Sequence, residues 1–269
     1  MTRALEDTEM ALPDRPVAGE PVRVEPVAKR VRVFFAGAVV ADSTRPLLLL
    51  ERRHLAVYYF PQEDVRMDLL TPTDEKTHSP GKGEASYWTV KVGEKEAVNA
   101  AWSYLDPVAG RDDIRGYVAF YWHKMQAWFE EDDEVFVHPR DPYHRIDVLN
   151  SSRHVRVVVG GQVVAETRRP RLLFETSLPT RYYIPKLDVR MDLLEPSTTR
   201  TQCPYKGTAS YWSVRSDDAV EKDLAWSYPT PLPEVNKIEN LVCFFNEVVD
   251  TFVDGELQPK PITPWSRRK

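Results

Sequence analysis

VRVVVGGQVVAET, residues 155–167, is the stretch that decides the fold. β-Branched residues fill both arms, and Gly160-Gly161 between them supplies the positive φ angles that a two-residue hairpin turn requires. Working outward, short apolar runs bounded by turn residues follow: LLFE (172–175), RYYI (181–184), DVRMDLL (188–194) and TASYWSV (208–214). All read as strands. Only PEVNKIENLV (233–242) has helical spacing, with Pro233 near its start and apolar Val235, Ile238 and Leu241 on one side. The predicted class is mainly β and antiparallel, with at most one short helix per unit.

The same runs occur earlier in the chain. A shift of 124 residues aligns 31–104 with 155–228 without a gap. VRV (31–33), VVA (39–41), VRMDLL (65–70), ASYW (85–88) and AWSY (101–104) meet identical residues at 155–157, 163–165, 189–194, 209–212 and 225–228. The chain therefore reads as two tandem copies, 30–134 and 154–258, joined by a Pro- and Asp-containing connector over 135–153. The copies are expected to pack together as a pseudo-dimer. Residues 1–29, Pro-rich and without periodicity, are expected to be a disordered leader, and 259–269 a similar tail.

Charge and composition exclude several functions. Thirty-six basic and 41 acidic residues are well mixed, giving a net charge of -5 with no domain-wide basic patch for nucleic acid. The first 21 residues carry acids and prolines where a secretory segment needs an apolar run, and no stretch has membrane-spanning length. A cytoplasmic location is the expectation. Cys203 and Cys243 both fall in the second copy, which excludes a repeated disulfide framework.

CPYKGTASYW (203–212), with LLFET, RYYIP and DVRMDLLEP before it and DLAWSYPTPLPE after it, resembles the bacterial domain of unknown function 427 family. The resemblance implies two β-tent-like (Mss4-like) domains, similar in topology to zinc-bearing β-tent proteins. It implies no established activity, and the family's nucleotidyltransferase-like label finds no supporting motif in this chain. The first copy departs from the pattern, reading Ser79-Pro80-Gly81-Lys82-Gly83 where the second reads Cys203-Pro204-Tyr205-Lys206-Gly207. The second copy, with the fuller motif, is the expected working copy.

Several residues could carry chemistry. Glu51 and Glu175 end apolar runs, where desolvation would raise a carboxyl pKa as a general acid or base requires. Asp68 and Asp192 lie two positions after Arg66 and Arg190, the spacing of an in-strand ion pair. Cys203 is the candidate nucleophile, with Lys206 to lower its pKa, but no histidine within the second copy is placed as its base. Lys82 and Lys206 read as solvated turn lysines, since the G-x-x-x-x-G-K-[ST] phosphate loop is missing. His138 and His144 read as solvent-facing connector residues. No metal is expected, because the two cysteines cannot supply the four thiolates of a β-tent zinc site, and no cofactor.

The aromatic residues are the most suggestive set. Tyr59, Trp88 and Trp102 in the first copy, and Tyr183, Tyr211, Trp212 and Trp226 in the second, would line a cleft with Asp68, Lys82, Asp192 and Lys206 as polar members. The expected function is small-molecule binding in an aromatic pocket of each copy, anchored by Glu51 or Glu175 and Asp68 or Asp192. One alternative is an enzyme acting on a nucleotide or phosphate ester with Glu175 as acid or base. Another is a structural or protein-interaction module.

Overall fold

The structure is a computed structural model and describes residues 22–51, 54–216 and 219–267. It divides into two compact units between Asp141 and Pro142. The first contains β1 (Val22–Pro26), β2 (Val31–Phe35), β3 (Ala38–Ser43), β4 (Leu47–Glu51), β5 (Val57–Pro61), β6 (Leu70–Ser79), β7 (Gly83–Val92), β8 (Lys95–Ser103), β9 (Tyr117–Phe120), β10 (Ala127–Glu130) and β11 (Asp133–Val135). The second contains β12 (Ile146–Asn150), β13 (Val155–Val159), β14 (Gln162–Thr167), β15 (Arg171–Glu175), β16 (Arg181–Tyr183), β17 (Leu194–Cys203), β18 (Gly207–Arg215), β19 (Val220–Ser227), β20 (Cys243–Phe244), β21 (Asp250–Val253) and β22 (Glu256–Leu257). The mainly β, antiparallel class is as predicted.

In the first unit a seven-stranded sheet runs β1-β4-β5-β9-β8-β7-β6, and a four-stranded sheet runs β11-β10-β2-β3. The second unit repeats the smaller sheet as β14-β13-β21-β22. Its larger sheet is parted into β12-β15-β16 and β17-β18-β19-β20, yet reciprocal backbone bonds between Ile184 and Val242, 2.8 and 2.9 Å, still bridge the parting. Both units carry the same irregularities. Register shifts fall at Val33/Phe34 and Val157/Val158, and at Pro72/Lys76 and Pro196/Arg200, where a proline that cannot donate a ladder bond sits on the edge strand.

The hairpin read from residues 155–167 is β13 and β14, turned by Gly160 (φ 55°) and Gly161 (φ 82°). Four local expectations are corrected. The expected leader is structured at its end, since β1 pairs with β4, and residues 1–21 lie outside the described residues. The expected connector likewise contains β12, paired with β15, so each repeat begins earlier than the apolar pattern suggested. Both strands lie at a sheet edge and are short and half polar, which weakens their signature in sequence. VRMDLL is not a strand: Met67–Leu69 and Met191–Leu193 form single 3₁₀ turns that feed β6 and β17. The expected helix over 233–242 is a kinked 3₁₀ segment ending at Ile238.

The tail also departs from expectation. Pro264–Arg267 forms a 3₁₀ turn, and Trp265 packs on the core of the second unit.

The cores are built from facing sheet surfaces. Val31, Val33, Leu48, Phe60, Val90 and Trp128 fill one cluster of the first unit, while Tyr59, Tyr87, Tyr104 and Ile114 fill another on the opposite face of the large sheet. Gly83 (φ 104°) and Gly207 (φ 96°) open the strands after the lysine turns. A Cβ there would lie 3.2 Å from the backbone nitrogen of Val108 or the carbonyl oxygen of Thr230. The close approach that glycine permits seats Lys82 and Lys206 inward.

Candidate functional site

The end of β15 and the β17–β18 turn come together in the second unit. Lys206 lies in a turn closed by its own N–H donating to the Cys203 carbonyl (3.3 Å), and its ammonium donates to both carboxylate oxygens of Glu175 at 2.6 and 2.5 Å. His144 Nε2 lies 2.9 Å from the same carboxylate, and Tyr205 stacks on the imidazole with ring centres 4.1 Å apart. The first unit repeats the pair as Lys82 and Glu51, joined by a short hydrogen bond.

Beside each ion pair stands a set of hydrogen-bonded rings. Trp226 Nε1 donates to the Tyr183 hydroxyl at 3.2 Å, and Trp102 donates to the Tyr59 hydroxyl at the same distance. Tyr211 shares a 2.8 Å hydrogen bond with Thr201, and Tyr87 with Thr77. Tyr183, Tyr211, Tyr228, Tyr59, Tyr87 and Tyr104 are all buried. Burial pushes the Tyr183 and Tyr228 hydroxyls well above their ordinary range and Tyr104 up to about 12, so these groups stay neutral hydrogen-bonding hydroxyls.

The carboxylate at the centre behaves opposite to the sequence expectation. Burial alone would raise Glu175, but the Lys206 ammonium and the His144 contact outweigh it and bring it from 4.5 down to about 2. Lys206 is raised, because Glu175 outweighs the desolvation of its ammonium. Both therefore stay charged near neutrality, and Glu175 is not poised as a general acid. Lys82 and Lys206, both predicted to be solvated, are buried, and His144, expected in solvent, faces Glu175. His138 bonds the carbonyl of Pro139 through Nδ1, 2.8 Å away.

A depressed carboxyl pKa gives stability that is complete above the unfolded value and fades as pH falls toward the folded one. Between pH 4.5 and about 2 the Glu175 linkage should therefore remove on the order of 3 kcal/mol. Urea midpoints of the second unit's transition, measured down this range, are expected to fall steeply in the native chain. Glu175→Gln, less stable at pH 7, should show a shallower slope; equal slopes would contradict the assignment.

The remaining predicted residues are not brought to this cluster in the same way. Asp68 and Asp192 are exposed and each forms a two-pronged ion pair with Arg66 (2.8 and 2.7 Å) or Arg190 (2.9 and 2.6 Å). These pairs hold both aspartates below the usual carboxylate range. Trp88 and Trp212 alternate with Tyr87 and Tyr211 along the strand and so face the other side of the sheet. The Lys186 ammonium lies 5.5 Å from the Trp212 ring centre. Cys203 is half-buried at the end of β17, and its side chain is brought to the cluster as a further hydrogen-bond partner of Lys206. Cys243 is buried, and burial pushes its thiol up to about 12.

Sequence reasoning missed Arg181. Its guanidinium donates to both oxygens of Glu247 at 2.6 Å and to Asn246 through a short bond. It lies 5.5, 5.9 and 5.7 Å from the ring centres of Trp226, Phe245 and Trp265. Thr263 adds a hydrogen bond to Glu247 at 2.7 Å. In the register of the repeat, Val57 and His123 take the places of Arg181 and Glu247.

A family model described as a domain of unknown function (DUF427) matches residues 23–131 and again 147–255. The chain belongs to the DUF427 family. None of the curated proteins matches it. The two DUF427 segments begin inside β1 and β12, so the family unit includes both strands that the apolar pattern left out. Among the described residues, no three His, Cys, Asp or Glu side chains gather as metal ligands, and no helix is long and apolar enough to cross a membrane. An open cleft of about 380 Å³ is lined by His154, Glu166, Thr167, Arg168, Arg169 and Asp188 and contains none of the aromatic residues.

Proposed function

We propose that this DUF427 protein is a small-molecule binding module whose ligand, a planar aromatic acid, stacks on the Trp102–Tyr121 face of the first unit. The observation that carries the reading is a shared cluster with unequal exposure. Both units keep the Glu–Lys pair and the hydroxyl-bonded rings, although a buried ion pair adds little stability over an apolar replacement. In the second unit the outer rings, Trp226 and Phe245, are 7 % and 4 % exposed; their counterparts Trp102 and Tyr121 are half-buried, with ring centres 4.6 Å apart. Glu51 keeps 21 % of its side chain accessible against 5 % for Glu175. Exposure thus favours the first unit, where motif completeness favoured the second.

Charge supports an acidic ligand. The carboxylates named from sequence already have cationic partners, whereas the Lys124 ammonium donates to the neutral Val98 and Asn99 carbonyls (3.0 and 3.1 Å) and lies 4.8 Å from the Tyr121 ring centre, with exposed His123 beside that ring. An enzyme using Glu175 as acid or base is disfavoured by its lowered pKa and engaged oxygens.

A thermal-shift screen of nucleotides, aromatic acids and aromatic amines tests the reading, since a ligand raises the melting point only by binding the native state. Aromatic acids are expected among the hits, with Trp102→Ala weakening them roughly 10- to 100-fold, as loss of about 1–3 kcal/mol of stacking implies. A screen in which no planar acid raises the melting point would sink the proposal.

A further inference from the structure

We propose that the second unit's aromatic site is occupied from within the chain, by Arg181 and by the segment Pro261–Ser266, so that the protein takes one ligand rather than two. The inference rests on the binding reading above and adds its stoichiometry and the device that sets it.

The plug is built from three side chains that the first unit lacks. Arg181 projects from β16 among the rings of Trp226, Phe245 and Trp265, and Glu247 neutralises it. With 8 % and 0 % of their side chains exposed, the two charges are among the most deeply buried in the described chain. Trp265 closes the third side, and Thr263 ties its segment to Glu247. Lys260 secures the approach through the Val248 carbonyl (2.7 Å) and Asp250 (2.9 Å). In the repeat register two of the plugging positions are Val57 and His123, and Trp265 lies beyond the repeat. Val57 packs on the cluster that holds Trp102 and Tyr121 and carries no cation; Lys124 lies over Tyr121 in its place, and among the described residues no guanidinium is spread over these rings as Arg181 is over those of the second unit. A guanidinium spread over aromatic rings occupies the same faces that a planar ligand would stack on, so the two compete directly.

The segment that completes the plug is lightly held. Among the described residues its ties to the rest of the unit are the Thr263 hydrogen bond, the Lys260 contacts and the packing of Trp265, while Ile262 between them is 97 % exposed. A segment with so few buried contacts opens at lower cost than the sheet beneath it.

The test is an NMR titration of the full chain with 1-naphthoate, a planar aromatic acid, following the indole N–H signals of Trp102 and Trp226. In the intact protein one equivalent is expected to bind, moving Trp102 and leaving Trp226 in place. In a variant ending at Lys260 and carrying Arg181→Val with Glu247→His, which gives the site the first unit's residues, both signals should move and two equivalents should bind. Response of Trp226 in the intact chain, or silence of Trp226 in the folded variant, would overturn the inference. Should that variant not fold, Thr263→Ala with Trp265→Ala replaces it: exposure of the Trp226 indole to a dissolved paramagnetic chelate should rise several-fold, and an unchanged value would refute the plug. If naphthoate moves neither indole in any form, the binding reading fails, and the chelate measurement alone decides whether the segment covers the site.

Discussion

Lys206→Met is expected to destabilise the second unit by about 3–5 kcal/mol, the usual cost of orphaning one member of a buried ion pair. Glu175 would keep 95 % of its side chain out of solvent with only His144 in reach, because the 5 % accessible now cannot hydrate the charge. Part of the loss should be relieved in acid, where the orphaned carboxyl takes up a proton. Adding Glu175→Leu should recover most of the stability, since removing both charges removes the desolvation cost as well. The same change in the first unit, Lys82→Met, should cost less, because Glu51 has 21 % of its side chain in water. Urea unfolding followed separately for each unit would check the order. Equal losses at Lys82 and Lys206 would mean that the two pairs do not differ in solvation as the structure has them.

A loss of comparable size is expected from Arg181→Met. Glu247, whose side chain is fully buried, would keep only Thr263 and backbone partners, against burial that already opposes its charge. The native pair holds Glu247 below the usual carboxylate range, so its contribution is present at neutral pH and fades in acid. The deficit of Arg181→Met relative to the native chain should therefore shrink as pH is lowered. Replacing both charges, Arg181→Met with Glu247→Leu, should be far milder than either change alone. A single-variant cost under about 1 kcal/mol would show that the pair is not desolvated.

How much of this was legible in the sequence differs from element to element. The duplication and the hairpin at 155–167 were plain, because identical blocks at a fixed offset and a Gly-Gly turn between β-branched arms each have one reading. VRMDLL misled because the spacing of Val, Met and Leu fits an alternating strand, while the actual 3₁₀ turn spans only three residues and leaves no periodic trace. β1 and β12 were missed because edge strands such as VRVEP and IDVLN carry half polar residues.

At the site, Glu and Lys stand 31 residues apart in both copies, which sequence could register but not join. Only the fold shows that the β17–β18 turn reaches the end of β15, and that contact is what reversed the expected pKa shift of Glu175. Arg181 does leave a signal in the repeat. The two copies differ at both positions, Val57 against Arg181 and His123 against Glu247, so that the second alone places opposite charges there. Paired changes of this kind between repeats are the trace that a buried ion pair leaves in sequence.

On the proposed reading the duplicated ring cluster is a ligand site open in the first unit and closed in the second. A crystal structure of the full chain with the strongest aromatic acid from the thermal-shift screen tests it most directly. A planar ligand is expected on Trp102 and Tyr121 with its acidic group toward Lys124, and Arg181 still seated among Trp226, Phe245 and Trp265. Ligand bound in the cleft lined by His154 and Arg169, or equally in both units, would contradict it.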